Sequence, residues 1–253
     1  MSASAPGPRV TGLETEFGVL CAPAGPSEAA KADLPDVERA AALIFRHRPV
    51  GYRSTNLFLP NGGRLYLDIG AHPEYATAEC VSVRDLVAQD QAGRAILAAM
   101  AESAATSLAH AGTAVRFHLL ANNTDSAGHT YGCHESYSVP RSLLDAPDDA
   151  AGGNSETTMA VLTSFLATRP VLVGSGRPLA GGPTEPNDGG RGAGEESAWG
   201  LSPRAPHLQA LTSADTTGQR ALVNTRDEPH ADASRLRRLH VTCADTTMAE
   251  PTT

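Results

Sequence analysis

Strict alternation of side-chain character from Val10 to Leu20 is the feature that most constrains the fold of this chain. A strand projects successive side chains to opposite faces, so a period of two predicts a strand with two different faces. One face carries mainly apolar side chains, and these are Leu13, Thr15, Phe17 and Val19. The opposite face carries Glu14 and Glu16 between two glycines. The sequence therefore predicts a strand that places two carboxylates on one face of a sheet.

Two further segments predict strands with polar groups on one side. An Asn-Gly-Gly turn at 61–63 opens the first, in which Arg64, Tyr66 and Asp68 share one face. The apolar side chains of that strand share the other face, and these are Leu65, Leu67 and Ile69. After a turn at 70–73, the segment from Glu74 to Cys80 is predicted to extend as another strand.

Helix signals are strongest in the middle of the chain. Ser82 followed by Asp85 has the form of a capping box, and it predicts the start of a long helix from Val83 to His110. Gly112 is typical of a residue that stops a helix. Shorter helices are predicted over Val37–Phe45 and Glu156–Thr168. Because apolar residues recur at three and four positions in the long helix, it is expected to pack on the sheet, which predicts an α+β fold.

Shorter patterns predict the remaining elements. Val115–Leu120 and Tyr131–Val139 are predicted to form a hairpin-like unit across a polar loop, and Val171–Val173 a short strand. The stretch 174–200 is rich in Gly and Pro, which predicts a surface loop. Alternation from Arg238 to Ala244 predicts a last strand. Its inward side chains are expected to be Leu239, Val241 and Cys243.

Charge, hydropathy and cysteine spacing exclude several classes of function. The chain has 20 basic and 28 acidic residues and a net charge of −8, so no nucleic-acid partner is expected. It has no apolar run of about 18 residues and no secretory signal, so we expect no membrane span and a cytoplasmic location. The four cysteines lack C-x-x-C spacing, which predicts small buried residues rather than a zinc site or a disulfide framework.

Acidic and imidazole side chains gather at the ends of the predicted strands and in the adjoining loops. Besides Glu14 and Glu16, they are His72, Glu74, His134, Glu135, Asp227, Glu228 and His230. Converging carboxylates repel each other unless a cation neutralises them, and oxygen ligands with one or two imidazoles suit magnesium or manganese. Magnesium retains waters or phosphate oxygens, so the pattern favours a nucleotide site over metal-activated hydrolysis.

Each candidate residue also has a simpler interpretation. Glu14 and Glu16 by themselves are typical of a solvated edge strand. Arg64 either binds phosphate with its forked guanidinium or forms a surface salt bridge. Asp68 either acts as a base beside the metal or is one more carboxylate around it. The chain has neither a Gly-x-Gly-x-x-Gly motif nor a Walker lysine motif, which disfavours Rossmann and P-loop nucleotide sites.

Four segments together carry a resemblance to a known family. They are GLETEFG at 12–18, NGGRLYLDIGAHPEYATAEC at 61–80, NNTDSAGHTYGCHESY at 122–137 and NTRDEPHADA at 224–233. In this order they resemble the proteasome accessory factor A family of Pup ligases. The resemblance implies a glutamine-synthetase-like α+β fold, in which a curved antiparallel sheet with helices packed on one face binds ATP and Mg²⁺.

The resemblance also implies roles for individual residues. Asp68 matches the catalytic carboxylate that accepts a proton. The residues that match magnesium ligands are Glu14, Tyr66 and Glu74, and further contributors to the metal and phosphate site are Glu16, His134 and His230. Those that match ATP contacts are Arg64 and Thr77. Arg226 and Arg238 are expected to neutralise phosphate or the substrate carboxylate.

The reaction implied by the resemblance is ATP-dependent ligation of Pup, a small disordered protein modifier, to lysine-bearing target proteins. The side-chain carboxylate of Pup's C-terminal glutamate would first form a γ-glutamyl phosphate. A lysine amine would then attack this acyl phosphate and form an isopeptide bond, which marks the target for proteasomal degradation.

The same resemblance bears on domain organisation. It implies that residues 1–253 are the N-terminal part of the large ATP- and metal-binding catalytic domain, without the C-terminal small domain. Thr247-x-x-Glu250 has the form of a helix start close to the last residue, so a truncated domain is expected. Two alternative functions stay open. One is a catalytically inactive or split paralogue that binds Pup or nucleotide, and the other is a Pup deamidase or depupylase.

Overall fold

An eight-stranded sheet forms the centre of the computed structural model. The structure describes residues 9–25, 34–49, 51, 53–121, 123–124, 129–144, 155–179, 198–215, 219–227 and 232–246. The strands in these ranges are β1 Thr11–Glu16, β2 Gly18–Pro23, β3 Asn56–Phe58, β4 Arg64–Asp68, β5 His72–Ala76, β6 Val115–Leu120, β7 Cys133–Pro140, β8 Arg177–Leu179, β9 Ala198–Gly200, β10 Ala210–Ser213, β11 Ala221–Asn224 and β12 Leu236–Ala244. The α-helices are α1 Val37–Arg46, α2 Val83–His110, α3 Arg141–Leu144, α4 Ser155–Thr168 and α5 Pro170–Val173.

The strand order of the eight-stranded sheet is β10-β11-β12-β7-β1-β5-β4-β3. All neighbouring pairs run antiparallel except β10 and β11, which are parallel. Strands β2 and β6 form a separate antiparallel pair, as do β8 and β9. The predicted α+β class is confirmed, and the sheet contains one parallel pair that the sequence did not indicate.

Helices cover one face of the sheet, which we call the helix face and which carries Leu65, Tyr75 and Val241. In the larger core, Tyr75 packs in one cluster with residues of α1 and α2 such as Leu97. In the smaller core, Leu166 of α4 belongs to one cluster with Val241. Because α1, α2 and α4 bury apolar side chains here, the polar side chains of the same strands are left on the opposite face.

The long helix α2 begins and ends where the sequence predicts. The Ser82 hydroxyl accepts a hydrogen bond from the Asp85 N–H at 3.1 Å and donates to its carboxylate at 2.8 Å. Gly112, with a φ of 91°, adopts the left-handed conformation beyond the last turn. Helix α1 extends one residue past its predicted end, and α4 starts one residue before its predicted beginning.

The alternating segment near the start of the chain is divided between two sheets. Its burial alternates as predicted as far as Phe17, and the predicted apolar face is buried at Leu13, Thr15, Phe17 and Val19, but Gly18 of the other face is buried too. The strand is nevertheless interrupted at Phe17, whose N–H donates to Pro73 O at 2.8 Å, and β2 pairs with β6. The predicted hairpin of β6 and β7 is therefore wrong, because β7 pairs instead with β1 and β12.

Three shorter predictions also differ from the structure. The strand predicted over Glu74–Cys80 is β5, which runs over His72–Ala76. Beyond the end of β5, an isolated β-bridge joins Thr11 to Cys80. Val171–Val173 belongs to helix α5 and is not a strand, since Pro170 occupies the first turn, where its missing N–H costs nothing. Part of the stretch predicted as a loop pairs as β8 and β9, residues 174–176 have no regular secondary structure, and 180–197 lie outside the described residues.

The last strand begins two residues before its predicted start and buries Val241 and Cys243 as expected. All four cysteines are buried, which agrees with the prediction of small buried residues. Within the described ranges, no helix combines the length and apolar character that a bilayer crossing requires.

Candidate functional site

The face opposite the helix face, which we call the carboxylate face, collects most of the candidate residues through strand register. Glu16 of β1 lies opposite Glu74 of β5, and Glu74 in turn lies opposite Tyr66 of β4. On the other side of β1, Glu14 lies opposite His134 of β7. Side chains that are opposite each other in adjacent strands point to the same side of a sheet, so these five residues share one face.

Three carboxylates on this face, Glu16, Asp68 and Glu74, form what we call the acidic cluster. One carboxylate oxygen from each lies within 4.8 Å of the others. Burial and the charge of Glu16 raise the pKa of Glu74 to about 8, with smaller contributions from Glu14 and Asp68. Burial and Glu74 raise the pKa of Tyr66, whose hydroxyl donates a short hydrogen bond to Glu74 Oε1. At neutral pH the Glu74 carboxyl therefore retains a proton unless a cation enters the cluster.

Glu14 forms a second group with His134 and His240, which we call the histidine cluster. His134 Nδ1 lies 3.3 Å and His240 Nε2 lies 3.6 Å from Glu14 Oε2. The other oxygen, Glu14 Oε1, accepts a hydrogen bond from Arg238 Nη2 at 2.8 Å. Burial opposes the ionisation of Glu14, but the two imidazoles outweigh it and lower its pKa well below the usual range. Glu14 is therefore held as a carboxylate.

His240 is a site residue that the sequence reasoning missed, although a signal for it was present. It lies two positions after Arg238 in a strand whose alternation was recognised, so both side chains fall on the carboxylate face. Burial lowers the pKa of His240, which favours the neutral imidazole that binds metals. Gly132 leaves room for the other ring of the cluster, because a Cβ there would lie 2.5 Å from His134 Nε2.

His72 connects the acidic cluster to the loop before β7. Its Nδ1 lies 3.6 Å from Glu16 Oε2, and its ring packs edge-on against Tyr131 with centroids 5.1 Å apart. Burial raises the pKa of Glu16, but the contact with His72 and the charge of His134 outweigh burial and lower it. Glu16 is therefore charged while its neighbour Glu74 retains a proton.

The two residues predicted to contact ATP lie on either side of β5, with Arg64 on β4 and Thr77 hydrogen-bonded to β1. The Arg64 guanidinium stacks over the Tyr66 ring, 4.4 Å from its centroid, and its Nε donates to Asn56 Oδ1 at 2.8 Å. These contacts orient the plane of the guanidinium beside the acidic cluster. The Thr77 hydroxyl accepts from the Leu13 N–H at 3.0 Å, so it joins the end of β5 to β1.

The three remaining candidates differ in their surroundings. Arg238 donates to Glu14 of the histidine cluster, and its Nε also donates to Ser136 Oγ at 3.1 Å. Arg226 follows β11 with an exposed side chain, and its backbone N–H donates to Asn224 Oδ1 at 2.8 Å. His230 lies outside the described residues.

Both clusters fit a divalent cation by the chemistry of their donors. The acidic cluster offers only oxygen atoms, which magnesium prefers, whereas the two imidazoles of the histidine cluster favour a transition-metal ion over magnesium. His240 Nε2 is buried and makes no hydrogen bond to any of the residues that the structure describes. A cation in the histidine cluster would satisfy this nitrogen, and a cation in the acidic cluster would offset the burial and the repulsion that keep Glu74 protonated.

Comparisons with known proteins agree with this geometry. A family model described as Pup-ligase protein matches residues 9–253. The Pup–protein ligase of Xylanimonas cellulosilytica is 46% identical over 246 residues, and that of Rothia mucilaginosa is 42% identical over 251 residues. Each alignment covers 97% of this chain and 48% of the relative. The chain thus spans about half the length of the curated relatives it matches.

Two solved structures are also similar. The crystal structure of the complex between the prokaryotic ubiquitin-like protein Pup and its ligase PafA matches with a TM-score of 0.78 and 36% identity, covering 96% of this chain and 44% of that chain. The structure of the Pup ligase PafA in complex with ADP matches with a TM-score of 0.63 and 39% identity, covering 87% and 44%. Since the family model spans nearly every residue and the fold agrees, this chain belongs to the Pup-ligase protein family.

Proposed function

We propose that this chain forms the nucleotide- and metal-binding part of a Pup–protein ligase. In the proposed reaction, ATP drives ligation of the side-chain carboxylate of Pup's C-terminal glutamate to lysine amines of target proteins, which marks those proteins for proteasomal degradation. Residues 1–253 would be the N-terminal part of the large catalytic domain. The reaction would take place in the cytoplasm, where ATP and the target proteins meet.

The observation that carries the proposal is the meeting of carboxylates from β1, β4 and β5 on one face. Glu16, Asp68 and Glu74 offer oxygens within 4.8 Å of one another, and one of the three holds a proton at neutral pH. A fold loses stability by crowding like charges, so such a cluster is typical of a site that binds a cation. Magnesium bound only by oxygen usually retains positions for phosphate, which supports a nucleotide as the ligand.

The residues proposed to hold the cation are Glu14, Tyr66 and Glu74, with Glu16, His134 and His230. The bound ion would offset charge on the phosphate oxygens during transfer. Arg64, Thr77, Arg226 and Arg238 are proposed to contact ATP, its phosphates or the substrate carboxylate.

Two chemical steps follow from this arrangement. The glutamate carboxylate of Pup attacks the γ-phosphorus of ATP, which forms the γ-glutamyl phosphate and releases ADP. A lysine amine then attacks the acyl carbon, forms the isopeptide bond and expels inorganic phosphate. Asp68 accepts the proton that the attacking amine loses, because an ammonium group has no lone pair with which to attack.

The proposal is tested by incubating the chain with ATP, Mg²⁺, a glutamate-ended Pup and a lysine-bearing acceptor, and detecting the conjugate by mass spectrometry. Asp68→Asn is expected to lower the rate at least about 100-fold, since a positioned base typically contributes this much. Asp36→Asn is the matched control, because Asp36 is an exposed helix cap that asparagine also provides.

Three outcomes would contradict the proposal. Nucleotide and Pup binding without any conjugate would favour an inactive or split paralogue. Release of ammonia from a glutamine-ended Pup, without ligation, would favour a deamidase. An Asp68→Asn variant that ligates at the full rate would refute the role of Asp68.

A further inference from the structure

Asn123 is buried and adopts a backbone conformation that few residues other than glycine take. Its φ is 62°, which lies in the left-handed region, and the residue is only 1% exposed. Asparagine tolerates this region better than most residues, because its short amide can bond to nearby backbone groups. The surrounding contacts must nevertheless hold the backbone in this conformation.

The amide of Asn123 joins two segments that are distant in the chain. Its Nδ2 donates to Tyr131 O at 3.1 Å, and its Oδ1 accepts from the Thr246 N–H at 2.9 Å. The backbone carbonyl of Asn123 accepts from the Tyr131 N–H at 3.2 Å, so Tyr131 is held through both of its own backbone groups. Asn123 therefore fixes the loop before β7 to the residues that follow β12, the strand that carries His240.

The segment that Asn123 holds, Tyr131 and Gly132, lies directly against the last residue of β1. Regular pairing of β1 with β7 ends at Thr15, and beyond it the Glu16 N–H donates to Gly132 O at 3.0 Å. Burial raises the pKa of the Glu16 carboxyl, whereas contacts with His72 and with the Gly132 backbone lower it, so Gly132 also lies near the carboxylate. The backbone and the side chain of Glu16 therefore both depend on where this segment lies.

The ring of Tyr131 constrains a second partner of Glu16. It packs edge-on against His72, and His72 Nδ1 lies 3.6 Å from Glu16 Oε2. The Tyr131 hydroxyl packs closely on Gly18, where a Cβ would be only 2.8 Å from it. A shift of the Tyr131 backbone would therefore move the ring on which His72 packs, and with it the imidazole that contacts Glu16.

The side-chain hydrogen bonds of Asn123 go to backbone groups, so its effect on the acidic cluster is exerted through Tyr131 and Gly132. Metal ligands depend on the residues that orient them, and loss of one such supporting residue typically weakens binding by about 10- to 100-fold. We propose that Asn123 is a positioning residue for the acidic cluster, which holds the Tyr131–Gly132 segment so that the Glu16 carboxylate faces Glu74 at the cation site. The inference rests on the proposed function for its cation.

The experiment compares Asn123→Gly and Asn123→Asp with the unaltered chain. Glycine takes the left-handed conformation without strain and removes both side-chain hydrogen bonds. Aspartate still accepts from the Thr246 N–H, but as a carboxylate it cannot donate to Tyr131 O. Two quantities are measured, which are the hydrogen-exchange rate of the Glu16 N–H by NMR and the affinity for Mg²⁺ by calorimetric titration.

We expect both substitutions to weaken Mg²⁺ binding about tenfold, because Glu16 is no longer held at the cation site. The exchange rate of the Glu16 N–H should rise in both, since its acceptor Gly132 becomes free to move away. The N–H of Leu97, in the middle of α2, is the internal reference, because its exchange reports the stability of the whole chain. A merely structural role of Asn123 would raise the two rates by the same factor, whereas positioning raises the Glu16 rate more.

Thr163→Ala is the matched control, since it removes another buried side-chain hydrogen bond, which Thr163 donates to Met159 O at 2.8 Å in α4. It should leave Mg²⁺ affinity unchanged and raise the Glu16 rate no more than the Leu97 rate. Equal rises of the two rates in Asn123→Gly would overturn the inference, as would Mg²⁺ binding by that variant at the original affinity. If Asn123→Gly does not fold, the same two measurements on Asn123→Asp decide.

The unaltered chain separates this inference from the proposed function. If it binds no Mg²⁺ or forms no conjugate, the proposed function is contradicted, while the exchange rates still decide whether Asn123 positions Glu16. If it binds Mg²⁺ and forms conjugate, and Asn123→Gly binds Mg²⁺ equally well, only the role of Asn123 is contradicted.

Discussion

His134 and Glu135 are neighbours on β7, yet they belong to two faces of the sheet with opposite electrostatic character. On the helix face, Glu135 pairs with Arg169 and also accepts a hydrogen bond from Tyr137 at 2.9 Å. On the carboxylate face, His134 joins Glu14, which is held charged near a group of further carboxylates. The same strand therefore supplies a member of a buried ion pair to one face and a member of a candidate metal site to the other.

The buried polar groups of the helix face follow the same rule elsewhere. Thr15 donates to Asp90 Oδ1 at 3.0 Å, and Arg94 Nε donates to Asp90 Oδ2 at 2.7 Å. By contrast, burial and the neighbouring carboxylates of the acidic cluster keep Glu74 protonated at neutral pH. The difference teaches that polar groups on the helix face stabilise the chain, whereas those on the carboxylate face depend on ligands.

The largest effect on stability is expected from Asp90→Ala on the helix face. The substitution removes the acceptor of Thr15 and the carboxylate to which Arg94 donates, and it should lower the free energy of unfolding by about 3 kcal/mol. Chemical denaturation measures this loss. Glu102→Ala, at an exposed position of the same helix, is the control and should change stability by less than about 0.5 kcal/mol. Equal effects of the two substitutions would remove the contrast between the faces.

On the carboxylate face, the expected signature is a dependence of stability on pH in the presence of a chelator. The folded pKa of Glu74 is about 8 and its ordinary value is 4.5, so the folded state retains a proton that the unfolded state has lost. This group's contribution is present below pH 4.5 and is lost as the pH rises to about 8, at no more than about 1.4 kcal/mol per pH unit.

Glu74→Gln removes that titration and isolates it from the histidines that titrate in the same range. The difference in unfolding free energy between the two proteins should therefore change between about pH 5 and about pH 8. Added Mg²⁺ should weaken the pH dependence of the unaltered chain's unfolding free energy, because the cation takes the place of the proton on Glu74. A constant difference across this range would show that the carboxylates do not interact.

A smaller effect is expected from His240→Gln, measured by titration with Mn²⁺. Loss of the buried imidazole beside Glu14 should weaken manganese binding about tenfold, which is typical when one supporting ligand is removed. His110→Gln, at the exposed end of α2, is the control and should bind with the original affinity. Unchanged binding by His240→Gln would exclude the histidine cluster as a metal site.

The smallest effect is expected from Ser82→Ala at the start of α2. Loss of the cap leaves the Asp85 N–H without its acceptor and should lower the unfolding free energy by about 1 kcal/mol. Mn²⁺ affinity should not change, because the cap is separate from both clusters. A coupled loss of metal affinity would show that the helix face and the carboxylate face are not independent.

Some of the fold was accessible from local patterns, and α2 is the clearest case. Its first and last residues follow from Ser82 and Gly112, because capping involves only residues within one turn. The partner of β2 was not accessible in this way. Strands β1 and β2 continue a single alternation, and the interruption at Phe17 depends on its hydrogen bond to Pro73, which is distant in the chain. Choice of strand partner is a long-range property, so the hairpin prediction failed.

The candidate site, too, was predictable only in those parts that depend on neighbouring residues. Alternation places Glu14 and Glu16 on one face of β1, and it places His240 on the same face of β12 as Arg238. No periodic signal showed that Glu16, Asp68 and Glu74 meet, because they belong to three strands whose order in the sheet depends on contacts between distant segments.

By itself, the sequence determined which side chains share a face within each strand and where the long helix begins and ends, because both depend on neighbouring residues. Only the tertiary structure decided which strands stand side by side and which charges are left without a partner. Arg238 meets Glu14 across 224 residues of chain, and such contacts form only when the whole sheet assembles.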